Sequence, residues 1–297
     1  MIGNRRLKQN TIRSITGIFF ILPCAVILVM MMFTPVIRTV VFSFSKVTLP
    51  SFDIDFIGID NFRRIFSSRD LLTVLRNTLY WTVASVSMRL LFGMLSALVM
   101  NNQIKGIGVL RVIALLPWTV PSIVSSNMWR WILQTDYGLL NGTLRGLGFE
   151  GLAKSWLGSS STALPSVVFA ATWASYPFVM MMILSAMQNI PNELYESARI
   201  DGANGWHLFS KITLPSIKPV IFVVTTLEII SSINAFDMLF TMTGGGPGNS
   251  SEILGLYVYR LSFTSRDYGA ASAVSTALLI FFSFIFIFYA PKQTKKG

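Results

Sequence analysis

The chain has 297 residues, of which 53% are hydrophobic and only 12% charged, where a soluble domain carries roughly 25% charged residues. That composition excludes a water-soluble globular protein and points to an integral membrane protein. The formal net charge is +11, yet the basic residues are spread over loops instead of gathered on one soluble face, which argues against nucleic acid as a partner.

Residues 1–14 form a basic segment ahead of an apolar run expected to span at about 15–42. This run is longer than the apolar core of a secretory signal and continues to Pro35 without a clear small-residue cleavage site. It is therefore expected to stay as an anchor. Cys24, the only cysteine of the chain, lies in it, so no intrachain disulfide can form. Between about 47 and 76, Ile59, Phe62, Ile65 and Phe66 recur at helical spacing with Arg63 and Arg64 between them. That is the pattern of a helix lying in the interface.

Further spans are expected at about 77–101 and 107–133, the latter interrupted by Pro117 and Pro121. The loop from about 134 to 163 carries Leu139, Leu140, Leu144 and Leu147 among glycines and reads as a short re-entrant or surface element. A fourth span is expected at about 164–189, interrupted by Pro177. On it, Trp173, Ser175 and Tyr176 offer the aromatic and hydroxyl surface that suits a sugar, although a tryptophan near a span end also serves as an interfacial anchor.

The polar segment 192–213 lies between two membrane-length apolar runs. Pro191 suits the first turn of a helix, and Gly202 can close it with a left-handed C-terminal cap. A second helix is expected to start at Asn204 as N-cap, with Trp206, Leu208, Phe209 and Ile212 as its apolar residues, until Leu214-Pro215 forces a break. The result is a helix-turn-helix on the membrane surface, suited to docking in a groove of another protein.

The fifth span is expected at about 214–240, interrupted by Pro215 and Pro219. Thr225, Glu228, Ser231 and Ser232 share one of its faces, a polar stripe that either lines a water-filled path or glues the bundle by interhelical hydrogen bonds. Asp237 falls opposite Glu228 on a straight helix, so it is expected to pair with another helix or to cap a break near Asn234. Gly244-Gly245-Gly246-Pro247-Gly248 lacks the Gly-Lys-Ser/Thr ending of a phosphate loop, and no such loop occurs elsewhere in the chain. The sixth span is expected at about 268–291, followed by a tail at 292–297.

Arg89, Arg130, Glu228 and Asp237 are ionisable residues inside spans and functional candidates on that ground. With the N-terminus inside, the inner loops carry a surplus of nine positive charges and the outer loops of one. The positive-inside rule then puts both termini and the helix-turn-helix in the cytoplasm. Nothing assembles a catalytic site: His207 is the only histidine, which removes histidine-cluster metal sites, and it lies beside Trp206 in the docking loop. An ion-coupled secondary transporter of small polar solutes remains the alternative, but the two halves of the chain show no repeat. An intramembrane enzyme would have only Glu228 and Asp237 as a carboxylate pair.

Glu196-Ser197-Ala198-Arg199-Ile200-Asp201-Gly202, followed after nine residues by Ile212-Thr213-Leu214-Pro215, resembles the "EAA" loop of the membrane subunits of binding-protein-dependent ATP-binding-cassette importers. Ser197 stands where alanine is usual. Phe56-Ile57-Gly58-Ile59-Asp60-Asn61-Phe62, Asn77-Thr78, Leu116-Pro117, Asp136-Tyr137-Gly138 with Asn141, and Thr243-Gly244-Gly245-Gly246-Pro247 are similar to the carbohydrate-uptake branch, which includes maltose-type and glycerol-phosphate-type permeases. The resemblance implies an all-α integral membrane protein of the type I importer permease fold, with six transmembrane helices and a cytoplasmic coupling helix-turn-helix. It implies a multi-pass subunit of the bacterial cytoplasmic membrane that is not itself an enzyme. Its partners would be a second, homologous permease in a heterodimer, two ATPase subunits that bind the ATP and magnesium, an extracytoplasmic solute-binding protein and a carbohydrate substrate. Coupling to the ATPase would fall to Glu193, Glu196, Ser197, Ala198, Arg199, Asp201, Gly202, Trp206, Leu214 and Pro215. Candidates for the substrate path are Trp173, Tyr176, Glu228, Ser231, Ser232, Asn234 and Asp237.

Overall fold

The computed structural model describes residues 2–48, 51, 53–102 and 105–293, with side chains described from 19 to 284 within those ranges. Lys295 and Lys296 of the expected tail lie outside the described residues. The chain forms two compact units, Met1–Ser68 with Val258–Gly297, and Arg69–Tyr257.

In the first unit, helix α1 (Ile2–Ser43) extends the expected first span back to residue 2 and runs through Pro23 and Pro35. The expected outer loop begins with a hairpin that periodicity did not reveal: β1 (Ser45–Thr48) pairs antiparallel with β2 (Asp53–Phe56). Strands of four residues are too short for an alternating pattern to stand out. The expected interfacial helix is α2 (Asp60–Phe66), which buries Ile65 and leaves Ile59 and Phe66 exposed. Asn61 ties helix and hairpin together by donating to the carbonyls of Ser43 and Ser45 at 3.1 and 2.9 Å. A Cβ on Gly269, in the last long helix, would lie 2.6 Å from the Ser45 carbonyl oxygen, so only glycine permits this approach.

In the second unit, helix α3 (Arg69–Met100) crosses α7 (Ala163–Gln188) so closely that a Cβ on Gly93 would meet Val179 Cγ1 at 2.6 Å. Between them in sequence come α4 (Ile107–Thr119), α5 (Ser122–Ile132) and α6 (Leu139–Gly146). The prolines act unequally. Val120 leaves the helical region at ψ 126° ahead of Pro121, and α4 and α5 bend by 94°, as the restriction on a residue preceding proline requires. Pro117, by contrast, sits inside α4, and Pro177 inside an unbroken α7, so the expected interruption of the fourth span does not occur. Tertiary packing overrides the local rule there: Pro177 is buried and its neighbours Val179 and Met180 are fully buried.

The expected break at Leu214-Pro215 is likewise absent. Helix α8 (Asn192–Ile200) is followed by α9 (Gly205–His207), a wide π-type turn (Leu208–Thr213) and α10 (Leu214–Ile233), the last three running on as one helix of 29 residues. Pro215 offers no N–H to the preceding turn, and the widened turn just before it gives the ring room. The fifth span instead stops at Asn234, ahead of α11 (Asp237–Thr243).

Several motif residues turn out to hold the scaffold. Asn77 donates to the carbonyls of Asn249 and Glu252, and the Thr78 hydroxyl accepts from the Leu254 amide at the start of α12 (Leu254–Tyr259). The glycine-rich turn is thereby fastened to α3. Asn141 is fully buried. It donates to the carbonyls of Thr135 and Lys154 and accepts from the Trp156 indole at 2.8 Å. The last helix is α13 (Tyr268–Gln293), in the first unit.

Among the described residues, four helices are long and apolar enough to cross a membrane, and a fifth if the bent α4–α5 pair counts as one span. The sixth expected span coincides with α13, of which 268–284 is the part described with side chains.

Candidate substrate path and coupling surface

The bend at Val120–Pro121 and the helix stop at Asn234 open onto the same space, a cavity of about 470 Å³ in the second unit. Irregular backbone at membrane depth is tolerated where protein or a water-filled cavity covers it, and both breaks meet that condition. Trp81, Arg89, Trp118, Ser122, Ser175 and Ser231 contribute to the wall, with Asn234, Phe236 and Asp237 closing it at the α10–α11 junction. The Trp81 indole donates to the Ser232 carbonyl at 3.0 Å, which fixes α3 to the end of α10.

Behind this wall lies the ion pair between Arg89 and Glu228, 2.7 Å apart, with both side chains 5% exposed. Sequence reasoning singled out each residue but not their pairing, because 139 residues separate them and helical periodicity speaks only within one helix. The stripe on α10 divides. Glu228 and Ser232 are buried, Ser231 opens to the cavity, and the Thr225 hydroxyl turns back to the Ile221 carbonyl of its own helix. Asp237 is not on that helix at all: it begins α11 just beyond the break at Asn234 and lines the cavity.

Trp173 and Tyr176 fall outside the residues that line this space. Trp173 packs edge-on against Trp129 at 5.7 Å, and the Tyr176 hydroxyl reaches the Ala114 carbonyl at 3.4 Å. The cavity aromatics that sequence reasoning missed are Trp81, Trp118 and Phe236. Trp118, between Pro117 and Pro121, had a readable signal in that proline spacing.

At the other end of α10, the coupling segment is built from backbone caps. Gly202 takes φ +83°, the left-handed conformation open to glycine. Its amide bonds the Arg199 carbonyl while the Ala203 amide bonds the Ala198 carbonyl, a Schellman closure of α8. The Asn204 side chain then accepts from the His207 amide at 2.9 Å and caps the next helix. The Tyr195 hydroxyl bonds that of Thr213 at 2.9 Å, bracing α8 against the base of α10. Glu193, Glu196, Ser197, Arg199 and Asp201 are exposed, Ala198 is half-buried, and Leu214 and Pro215 are exposed. Ile200 and Trp206 are 87% and 70% exposed, the most exposed large apolar side chains of the segment.

The profile of the family described as "Binding-protein-dependent transport system inner membrane component" matches residues 89–292. The chain is 34% identical over 274 residues to the trehalose/maltose transport system permease protein MalF of Thermococcus litoralis, covering 91% of this chain and 92% of that protein. It is 33% identical to the sulfoquinovosyl glycerol transport system permease protein SmoG of Agrobacterium fabrum, over 87% of this chain and 84% of that one. The fold is similar to that in the crystal structure of a bacterial ABC transporter involved in the import of the acidic polysaccharide alginate. There the TM-score is 0.84 at 22% identity, covering 98% of this chain and 99% of the other.

Proposed function

The chain belongs to the family of binding-protein-dependent transport system inner membrane components, and we propose that it lines half of the membrane path for a sugar or sugar derivative and couples that path to a separate ATPase. It is a multi-pass permease subunit of an ABC importer. In the proposed complex a second, homologous permease completes the path. Two ATPase subunits bind ATP and magnesium, and an extracytoplasmic solute-binding protein delivers the saccharide, a class supported by the names of the relatives. The chain makes and breaks no bonds itself. Both termini lie in the cytoplasm of a bacterial cell, a reading supported by the loop charges. Cysteines introduced at Ser51 and Ser159 would then react with an impermeant thiol reagent added outside, and labelling only from inside would reverse this topology. The ion-coupled carrier is not favoured by the family membership.

The observation that carries the coupling role is the exposed, doubly capped α8–α9 segment, whose second helix runs without a break into the one that ends at the cavity. Its apolar tips, Ile200 and Trp206, are suited to a groove on the ATPase, with Glu196 and Arg199 as polar contacts at that joint. Gly202→Val strains the left-handed cap although no atom crowds the site, and Glu196→Lys reverses a contact charge. Either variant is expected to insert normally yet lose ATPase association or ligand-stimulated hydrolysis. Wild-type coupling in both would overturn the role.

A further inference from the structure

The charges of the cavity wall do not cancel. Among the described residues, Arg89 and Asp237 are the charged side chains that line it. The Arg89 guanidinium is already matched: Glu228 sits 2.7 Å away, and both groups are buried together. Asp237 is exposed to the cavity and makes no ion pair among the described residues. The wall therefore presents one uncompensated negative charge, beside the hydroxyls of Ser122, Ser175 and Ser231 and the exposed ring of Trp118. Neutral groups of this kind serve a saccharide of any charge, hydroxyls to hydroxyls and a ring to its C–H face. The sign is set by the carboxylate, and low-dielectric walls strengthen the field of a single charge within a cleft.

We infer that this cavity admits neutral or cationic saccharides and rejects acidic ones, with Asp237 as the specificity-determining residue and Glu228 as the positioning residue that keeps the Arg89 charge silent. The inference rests on the reading of the cavity as the substrate path. It narrows that reading, because the family resemblance spans sugars and sugar phosphates alike. Glu228 acts through Arg89 alone. Removing its charge unmasks a cation in the wall and brings the wall close to neutrality, while removing both carboxylates makes it positive.

The test uses the whole importer reconstituted in lipid, with Cys24→Ser and Ser231→Cys in this chain and with modification of this chain read by mass. A cationic and an anionic methanethiosulfonate reagent probe the cavity, and Ser160→Cys in the exposed loop serves as reference. The cation-to-anion rate ratio at the cavity thiol, relative to the reference, is expected to be about tenfold. Asp237→Asn should bring it to about one, and Asp237→Asn with Glu228→Gln should invert it. A ratio near one in the starting background, or a ratio unmoved by Asp237→Asn, overturns the inference, and that single variant decides even if Glu228→Gln fails to assemble. Glucosamine should slow modification of the cavity thiol by an uncharged thiosulfonate more than glucuronate does at the same concentration, and equal effects would also overturn it. The premise is read separately: loaded binding protein with ATP should change the reactivity of the same thiol. A reactivity that ignores turnover defeats the substrate path, whatever the charge ratio shows.

Discussion

α7 and the helix Gly205–Ile233 are both apolar, both carry proline and both lie in the same unit, yet 56% of the most apolar stretch of α7 is buried against 22% for the other. The difference separates two ways of holding a membrane helix. α7 is a post, locked by side-chain packing against α3 along Ala170, Val179, Met180 and Ile183. The helix ending in α10 is a rod, pinned along one line by Ile217, Val224, Glu228 and Ser232 and exposed over much of the rest. Apolar composition states only which solvent a helix meets; what it packs against has to come from its partners.

Four substitutions can break or sharpen this contrast. Glu228→Leu removes a pin of the rod and leaves Arg89 buried without a counter-charge, which is expected to cost about 3–5 kcal/mol. The thermal midpoint of the purified complex should fall, and Arg89→Leu combined with Glu228→Leu should recover most of it. An unchanged midpoint in the single variant would mean that the pair holds nothing. Gly93→Ala strikes the post, since the added methyl would meet Val179, at about 1–3 kcal/mol. Gly142→Ala, with open space around its Cβ, is the control that should leave the midpoint alone; equal midpoints for the two would refute the tight crossing.

Smaller effects belong to the base of the rod. Asn204→Ala removes the cap of the second coupling helix at about 1 kcal/mol, and it should lower ligand-stimulated hydrolysis with little change in the global midpoint. A global loss instead would make the segment part of the core. Tyr195→Phe deletes the bond to Thr213 and should cost about 0.5–1.5 kcal/mol. The readout is amide exchange in α8, expected to quicken while exchange in α7 stays as it was.

What could be read in the sequence was mostly local. Gly202 and Asn204 were legible as caps because a cap is a matter of one residue's backbone and its immediate neighbours. That α2 is a helix was legible because four apolar residues repeat at helical spacing. The prolines misled in two ways: Pro177 is buried by packing inside a continuous helix and Pro215 follows a widened turn that accommodates its ring, while at Pro121 the preceding residue leaves the helical region and the chain bends. Candidates for the path were legible one at a time, as polar or ionisable residues at depth. Their assembly was not, because the Arg89–Glu228 pair and the placement of Trp118 and Asp237 on one cavity depend on crossings between helices far apart in sequence.

The wide turn at Leu208–Thr213 carries one residue more than an α-helical stretch of the same rise. An extra residue of this kind is a dislocation, and a dislocation can travel. Each step along the helix exchanges one backbone hydrogen bond for another, save at Pro215 and Pro219, which have no N–H to exchange, and every residue it passes is left rotated by about 100° about the axis. Moved from Thr213 toward Glu228, it would screw the intervening surface of α10 by nearly a third of a revolution while both ends kept their positions. Such a step would turn the groups on the face of α10 without tilting the helix.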